Sequence, residues 1–372
     1  RGPAPRGAYK GIGRFDVYDM AGNVKEWCWN SDTEGRRCLR GGAWNEASYR
    51  CLFMDVASPW DRRETHGFRC VRYLSDKHPP PKTLEPWRQV LPHLAGRKRL
   101  PLEMLKAWYE YDKDQPFKPT TIETDDGFSA EYRHEIVRID AAYNHERFDI
   151  HLYFPHEKRD KYETIVFAPG MGAWLTEQYG PNGGISEGKL IPAFVKTCRV
   201  ACVPICKGTW ERGNGTFSLT EFTVQRRDLV LANLKDYART AAYLCTREDV
   251  DANRLLFLGY SVGATWSPTG LAFNNAFRAA ILVAGGYPTV ELPPPWDVLD
   301  PYHFTPHIKL PVLLVTGAFD TVVPYQSHQL PFFEDLGSTN KYHALLEFGH
   351  NPPSEKLVET ADQWLCDLFG NP

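Results

Sequence analysis

A serine flanked by two glycines follows a strongly apolar run in the second half of the chain. The segment Leu255–Ser267 reads LLFLGYSVGATWS, and its first four residues predict a strand buried on both faces. Glycines on either side allow a tight strand-to-helix turn that exposes the serine hydroxyl at the edge of a sheet. The segment therefore predicts Ser261 as a nucleophile, with an ordinary strand-to-helix turn as the alternative.

Candidates for a base and an acid lie downstream of this serine, which is a weak nucleophile on its own. The segment PVLLVTGAFDTVVP places Asp320 just beyond one apolar strand, and HALLEFGHNPP places His350 just beyond another. Taken alone, each could be an ordinary turn or loop residue. The order Ser, Asp, His, each at the carboxyl end of a predicted strand, favours a catalytic triad. His328, on a predicted helix, and His343, at the start of a strand, are weaker candidates for the base.

Acyl transfer also needs backbone donors for a developing oxyanion. One should be the N–H of Val262, which follows the serine, and the other should come from the loop after an earlier strand. The segment VFAPGMGAW fits that loop, and the N–H of Met171 is our candidate in it. Pro268, inside the helix expected after Ser261, predicts a kink because it lacks a backbone donor.

Aromatic residues near these predicted loops could line an acyl or aryl pocket. The chain is 13% aromatic, so ordinary core packing is the alternative for most of them. The candidates are Trp174, Trp210, Trp266, Trp296 and Tyr302.

Short and nearly continuous apolar runs alternate with helical stretches from residue 164 onward. The runs are TIVFAPG, VACVPIC, LLFLGYS, AAILVAGG and VLLVTGAFD, and HALLEFGH is a further strand candidate. Continuous apolarity predicts strands buried on both faces, so the fold class is α/β, with a mostly parallel sheet flanked by helices. Before these runs, EYRHEIVRID and FDIHLYFP alternate and predict antiparallel strands. Cys198, Cys202 and Cys206 recur every four residues, but their segment reads as a strand, so we expect core thiols rather than a metal site.

Composition excludes several classes of function. The net charge is −3, and GRKRL at 96–100 is the one short basic run, so nucleic-acid binding is not expected. No apolar run approaches the roughly 18–20 residues that span a bilayer. Nine cysteines without a CxxC pair favour a reducing compartment, and we expect a cytoplasmic protein. The chain begins with Arg1, which leaves room for upstream domains.

Three consecutive prolines at 79–81 mark a boundary between two units. We predict a Gly-, Trp- and Arg-rich segment at 1–75, a Pro-rich linker at 76–99 that includes the solvated basic run, and the α/β domain at 100–372. The segment LPLEMLKAWYEY at 100–111 predicts a helix at the start of the α/β domain.

The α/β domain at 100–372 resembles a known family. The segments IDAAYNHERFDIHLYFP, IVFAPGMGAW, CKGTWERG, GYSVGA and GHNPP resemble the dienelactone-hydrolase and acetyl-esterase-like branch of α/β-hydrolases. They are most similar to the hydrolase domain of bacterial serine/threonine-kinase fusion proteins. The resemblance implies an α/β-hydrolase fold and a serine carboxylesterase that acts on a small-molecule ester without a cofactor. An amidase or peptidase with the same triad, or a non-catalytic interaction module of a signalling fusion, stays open.

The first unit resembles a different family. The blocks FDVYDMAGNVKEWCW, LRGGAW and HGFRCVR resemble the C-terminal part of the formylglycine-generating, or sulfatase-modifying factor, domain. The resemblance implies a small, irregular fold. Members that oxidise cysteine carry a reactive cysteine pair, but here Glu46 fills the first position and only Cys51 lies near the second. We therefore expect no oxidase chemistry.

The same resemblance implies a calcium loop in the first unit. Its ligands map onto the Asp19 and Glu26 carboxylates and the Gly22 and Val24 carbonyls, and hard oxygen donors suit calcium. A Gly-Asn turn capped by Asp19 is the alternative.

The first unit is short, so we expect it to be only marginally stable without a metal, disulfides or a partner. It carries four tryptophans that need covering, and the nearest surface is the hydrolase unit. We therefore expect the segment to pack on that unit. The four are Trp27, Trp29, Trp44 and Trp60.

Overall fold

The structure is a computed structural model whose described residues form two sheets. It describes residues 2–5, 7–9, 17–32, 35–46, 51, 54–72, 85–86, 97–125, 132–180, 187–217, 221–288 and 292–372. Most of the linker expected at 76–99 lies outside these ranges. Within them, no helix is both long enough and apolar enough to cross a membrane.

Nine strands form the larger sheet, in the order β13-β12-β11-β10-β8-β9-β7-β6-β5. The six strands from β8 to β13 pair in parallel, whereas β5, β6 and β7 form an antiparallel edge that joins them through β9. Both predicted kinds of pairing are confirmed. The strands are β5 (Thr120–Asp125), β6 (Arg133–Asp140), β7 (Arg147–Phe154), β8 (Tyr162–Ala168), β9 (Val200–Pro204), β10 (Val250–Tyr260), β11 (Ala279–Val283), β12 (Val312–Gly317) and β13 (Lys341–Leu346).

Helices cover both faces of this sheet. Alternate residues of β10 point to opposite faces: Leu255 and Phe257 join one apolar cluster with residues of α4, and Leu256 and Leu258 join another with residues of α3 and α7. Burial on both faces explains why these strands are continuously apolar. The helices are α1 (Leu102–Tyr109), α2 (Gly172–Leu175), α3 (Glu187–Val195), α4 (Val224–Leu244), α5 (Val262–Leu271), α6 (Leu330–Asp335) and α7 (Ser354–Phe369).

Helix α5 continues three residues beyond Pro268. Proline has no N–H to donate to the carbonyl of Ala264, four residues earlier. The Ser267 hydroxyl donates to that carbonyl instead, at 2.7 Å. A side chain thus replaces the missing backbone hydrogen bond inside the helix.

The smaller sheet belongs to the first unit and has the order β3-β2-β1-β4. Its strands are β1 (Lys25–Ser31), β2 (Arg37–Arg40), β3 (Met54–Ala57) and β4 (His66–Gly67). The expectation that the hydrolase unit covers the tryptophans is wrong for Trp29 and Trp60, which are 71% and 80% exposed. The larger unit is the α/β domain predicted at 100–372. The described contacts between it and the first unit are instead made by Asp55 and Arg36, which contact the loop after β12.

Two arginines assigned to the linker pack on the larger unit. Arg97 pairs with Asp300, and Arg99 pairs with Asp335 at 2.6 Å. Both guanidinium groups also lie over the Tyr302 ring, at 4.8 and 3.8 Å from its centroid. The interpretation of this basic run as solvated linker is wrong at Arg97 and Arg99, because their partners are far away in sequence.

Candidate active site

Ser261 lies at the turn between β10 and α5 in a strained backbone conformation. Its φ is 53° and its ψ is −111°, a combination that non-glycine residues rarely adopt. The Ser261 N–H donates to the Val283 carbonyl of β11 at 2.8 Å, and the Ser261 carbonyl accepts from Thr265 of α5 at 2.8 Å. The neighbouring strand and the following helix therefore hold the strained residue in place.

The two glycines around this serine have no room for a side chain. A Cβ on Gly263 would lie 2.2 Å from the Ala168 carbonyl oxygen, at the end of β8. A Cβ on Gly259 would lie 2.8 Å from the Gly263 carbonyl oxygen. The close approach of α5 to β8 at Gly263, and of β10 to the start of α5 at Gly259, thus explains the two glycines of Gly-x-Ser-x-Gly.

The structure brings the three predicted triad residues together. His350 Nε2 is 2.7 Å from Ser261 Oγ, and His350 Nδ1 is 2.8 Å from Asp320 Oδ2. The side chains come from the ends of β10, β12 and β13, and all three residues are buried. Because the carboxylate can only accept, the imidazole proton lies on Nδ1, which leaves Nε2 to accept the serine proton.

The loops that carry the acid and the base are joined by their backbones. Ala318 donates to the Leu346 carbonyl at 2.8 Å, and Phe319 donates to the Phe348 carbonyl at 2.9 Å. A Cβ on Gly317 would lie 2.0 Å from the Gly349 carbonyl oxygen, so only glycine allows this approach. The Asp320 and His350 loops therefore form one unit.

Four donors fix the Asp320 carboxylate. Oδ1 accepts from the N–H groups of Val322 and Val323, at 2.8 and 3.0 Å, and Oδ2 accepts from Gln329 Nε2 at 3.1 Å in addition to His350. Gln329 is fully buried, at the end of a π-helical turn over Tyr325–Gln329. Sequence reasoning missed it, because no motif links an amide to an acid nine residues earlier.

The two competing histidines do not contact Ser261 in the described hydrogen bonds. His328 Nδ1 pairs with Ser327 Oγ at 2.6 Å, and burial lowers the His328 pKa to about 4 against the opposing charge of Asp320. The His343 ring stacks on Tyr325, and burial also lowers its pKa. Both are neutral packing histidines near neutral pH.

The predicted oxyanion donors adjoin the serine. Val262 is the first residue of α5, so its N–H has no acceptor within the helix. Met171 follows Gly170, and a Cβ on Gly170 would lie 3.4 Å from Ser261 Cβ. Gly170, which precedes Met171 in the loop after β8, therefore lies against Ser261.

A small, mostly apolar cavity adjoins the same loop. Its lining includes Pro169, Val262 and two of the five predicted aromatics, Trp174 and Trp266, whose ring centroids are 5.7 Å apart. The other three predicted aromatics are not among its lining residues. Trp210 and Trp296 are at most 1% exposed and pack in the core, and Tyr302 lies under Arg97 and Arg99.

The residues of the predicted calcium loop do not fit a calcium ion. Arg69 Nε lies 2.8 and 3.0 Å from the two Glu26 carboxylate oxygens, and Arg69 also donates to the Tyr18 and Asp19 carbonyls at 3.0 and 3.1 Å. Hydrogen bonding to Glu26 raises the Arg69 pKa. The Arg69 guanidinium thus occupies the Glu26 oxygens that would have ligated the ion, and Gly22 and Val24 lie in the bend before β1. Within the described residues, no group of three His, Cys, Asp or Glu side chains could hold a metal ion.

Glu46, which stands in the first cysteine position, takes part in an ion-pair network. Its carboxylate lies 2.5 Å from Lys25 Nζ and also accepts from the Ala43 N–H at 3.1 Å. Cys51 is half-buried and in no disulfide.

The nine-stranded sheet with its strained serine turn has the α/β-hydrolase fold, as predicted. Solved structures share this fold. Acetyl xylan esterase 1 from Thermoanaerobacterium sp. JW/SL YS485 superimposes with a TM-score of 0.53 at 14% identity, covering 73% of this chain and 100% of the esterase. The acetyl xylan esterase from Paenibacillus sp. R4 gives 0.53 at 16% identity, covering 72% and 92%.

Sequence comparisons match both units separately. Residues 3–74 match the family described as sulfatase-modifying factor enzyme 1-like domain, which confirms the resemblance of the first unit. A curated relative, cutinase Est1 from Thermobifida alba, is 23% identical over 194 residues, which cover 50% of this chain and 52% of the cutinase. The chain thus spans about half the length of that relative.

Proposed function

We propose that this protein is a serine hydrolase that cleaves carboxylic esters. The observation that carries the proposal is the hydrogen-bonded chain from Ser261 through His350 to Asp320, which starts at a serine with a strained backbone. Such strain persists only where the surrounding structure enforces it, and it clusters at functional sites. A packing role would not need a serine hydroxyl within 2.7 Å of a buried imidazole.

In the first half of the reaction, Ser261 Oγ attacks the ester carbonyl carbon while His350 Nε2 takes the hydroxyl proton. The Asp320 carboxylate stabilises the resulting imidazolium through Nδ1–H. The N–H groups of Val262 and Met171 donate to the oxyanion of the tetrahedral intermediate. The intermediate collapses when His350 returns its proton to the leaving alcohol, which leaves an acyl group on Ser261.

In the second half, water attacks the acyl-enzyme. His350 takes a proton from this water, and the second tetrahedral intermediate releases the carboxylic acid and restores the serine hydroxyl. No step requires a metal or an organic cofactor.

The relatives support esters as the substrate class. The curated relative is a cutinase, and the two solved structures are acetyl xylan esterases.

A fluorophosphonate probe and a series of p-nitrophenyl esters of graded chain length test the proposal. The wild type should be labelled and should hydrolyse at least the short esters, whereas Ser261→Ala should do neither. Ser354→Ala is the matched control, because Ser354 lies at the start of α7 and has no described hydrogen bond to the triad. Absence of labelling in the wild type would favour the non-catalytic module, and turnover of anilides over esters would favour the amidase.

A further inference from the structure

The first unit contacts the loop that carries Asp320. Thr321, the residue after the acid, donates its hydroxyl proton to Asp55 Oδ1 of β3 at 3.0 Å. Phe319, the residue before the acid, has the Arg36 guanidinium over its ring at 5.5 Å from the centroid. Both chain neighbours of Asp320 are therefore in contact with the first unit.

These contacts are themselves held in place. Asp55 Oδ2 lies 2.5 Å from Lys25 Nζ, which also pairs with Glu46. The three side chains are 11–18% exposed, so solvent screens their interactions less than those of surface pairs. On the other side, Arg36 Nε donates to the buried Asp32 at 2.6 Å. Asp55 and Arg36 thus present fixed groups to the acid loop.

Movement of this loop would directly change the positions of Asp320 and His350. The Asp320 carboxylate accepts from Val322 and Val323, which follow Thr321. Phe319 donates to the Phe348 carbonyl, two residues before His350. A shift of Phe319 or Thr321 would therefore alter the position of Asp320 against His350.

We propose that the first unit is a positioning element of the hydrolase site, in which Asp55 and Arg36 hold the residues flanking Asp320 and so keep its carboxylate on His350. The proposal rests on the proposed function for its consequence in turnover. Asp55, Arg36 and Thr321 are positioning residues that act through Asp320 and do not touch the substrate.

The kinetic test compares Asp55→Ala, Thr321→Val and the double variant in the full chain with p-nitrophenyl acetate. We expect Asp55→Ala to lower kcat about tenfold with KM changed less than twofold, because misplacement of a catalytic group costs rate rather than binding. The double variant should be no slower than the slower single variant, because both remove the same contact. Losses that multiply, or unchanged kcat in both single variants, would overturn the proposal.

Two control variants separate positioning from general destabilisation. Asp61→Ala removes a carboxylate of the first unit that pairs with Arg63, and Thr360→Val removes an exposed hydroxyl on α7. Neither residue has a described contact with the acid loop, and both variants should keep the wild-type kcat.

In Asp55→Ala, the acidic limb of the pH–rate profile should move to lower pH, since a displaced carboxylate stabilises the imidazolium less.

Amide hydrogen exchange tests the contact without any turnover. Peptides that cover residues 317–325 should exchange faster in Asp55→Ala than in the wild type and in Asp61→Ala, because the loop loses an anchor. Unchanged exchange would overturn the positioning role even if the protein proved inactive. Lack of labelling and of ester turnover in the wild type would instead count against the proposed function.

Discussion

The two sheets of this protein differ in how deeply their polar side chains are buried and in how these side chains are paired. In the larger unit, Ser261, Asp320 and His350 are at most 6% exposed, and His350 is hydrogen-bonded to both Ser261 and Asp320. In the first unit, Glu26 and Asp55 are half-buried and are neutralised by Arg69 and Lys25. A deep core can hold a hydroxyl and an imidazole ready for proton transfer, whereas the small sheet uses its charges for cohesion.

The difference follows from the size of each core. Residues of the parallel strands and their helices form extensive apolar clusters on both faces of the large sheet. The small sheet has strands of two to seven residues, and its described buried apolar residues are Cys38, Leu39, Ala43 and Val56. The first unit adds to this small core the ion pairs of Lys25 with Glu46 and Asp55 and of Arg69 with Glu26.

The largest expected effect separates the two units by activity. Ser261→Ala and His350→Ala should each lower kcat by about 10⁶, and the double variant should lose little more, because the residues act as one unit. Cys51→Ser in the first unit should leave ester turnover unchanged. Steady-state kinetics on one chromogenic ester measure all four variants. Retention of more than a few per cent of activity in Ser261→Ala would refute the assignment of the nucleophile.

The second-largest expected effect concerns Gln329, which donates to Asp320. Gln329→Leu removes a donor from Asp320 Oδ2 and should lower kcat about tenfold, since a less ordered acid orients His350 less well. Gln329→Glu should lower kcat at least as much, because it replaces the donor with a second carboxylate that repels the Asp320 carboxylate. The pH–rate profile of each variant is the measurement. Gln363→Leu, which removes an exposed Gln–Asp pair on α7, is the control. A wild-type rate and profile in both Gln329 variants would contradict the role.

The third effect is on stability and arises in the larger unit. The His328 pKa is lowered to about 4 by burial, so between the usual value of 6.5 and about 4 the unfolded chain binds the extra proton. Stability is therefore present above pH 6.5 and is lost as the pH falls towards 4. The His328 contribution lost between pH 7 and 5 should be about 2 kcal/mol. Urea unfolding of His328→Gln should show a smaller loss than the wild type, with the exposed His307→Gln as control. Parallel curves for the wild type and His328→Gln would be inconsistent with a buried neutral histidine.

The smallest effect is in the first unit. Arg69→Met should destabilise that unit by about 1 kcal/mol, because it leaves Glu26 and two carbonyls without their donor. Calcium or a chelator should not change the melting temperature of the wild type. Tryptophan fluorescence during urea unfolding reports the change, with Arg63→Met as the exposed control. A rise in melting temperature with calcium would show that the loop binds the ion despite Arg69.

Local sequence patterns predicted the large sheet because the central parallel strands are buried on both faces and are therefore continuously apolar. The order of Ser261, Asp320 and His350 also followed from local signals, since each stands where a strand ends. Gln329 and Asp55 could not be found in this way, because their contacts with the acid loop depend on the tertiary fold. Arg69 was missed for the same reason: its carboxylate partner lies 43 residues away.

The paired backbones of the acid and base loops make those loops a removable cassette. Ala318 and Phe319 bond to Leu346 and Phe348, so the spacing of the acid and base is set within the last two strands of the sheet. A designer who wishes to change the acyl preference can vary the loop after β8 without disturbing that spacing. Conversely, grafting residues 312–350 as one block would carry the acid, the base and Gln329 together, but the graft would lack Ser261 and the contacts from Asp55 and Arg36.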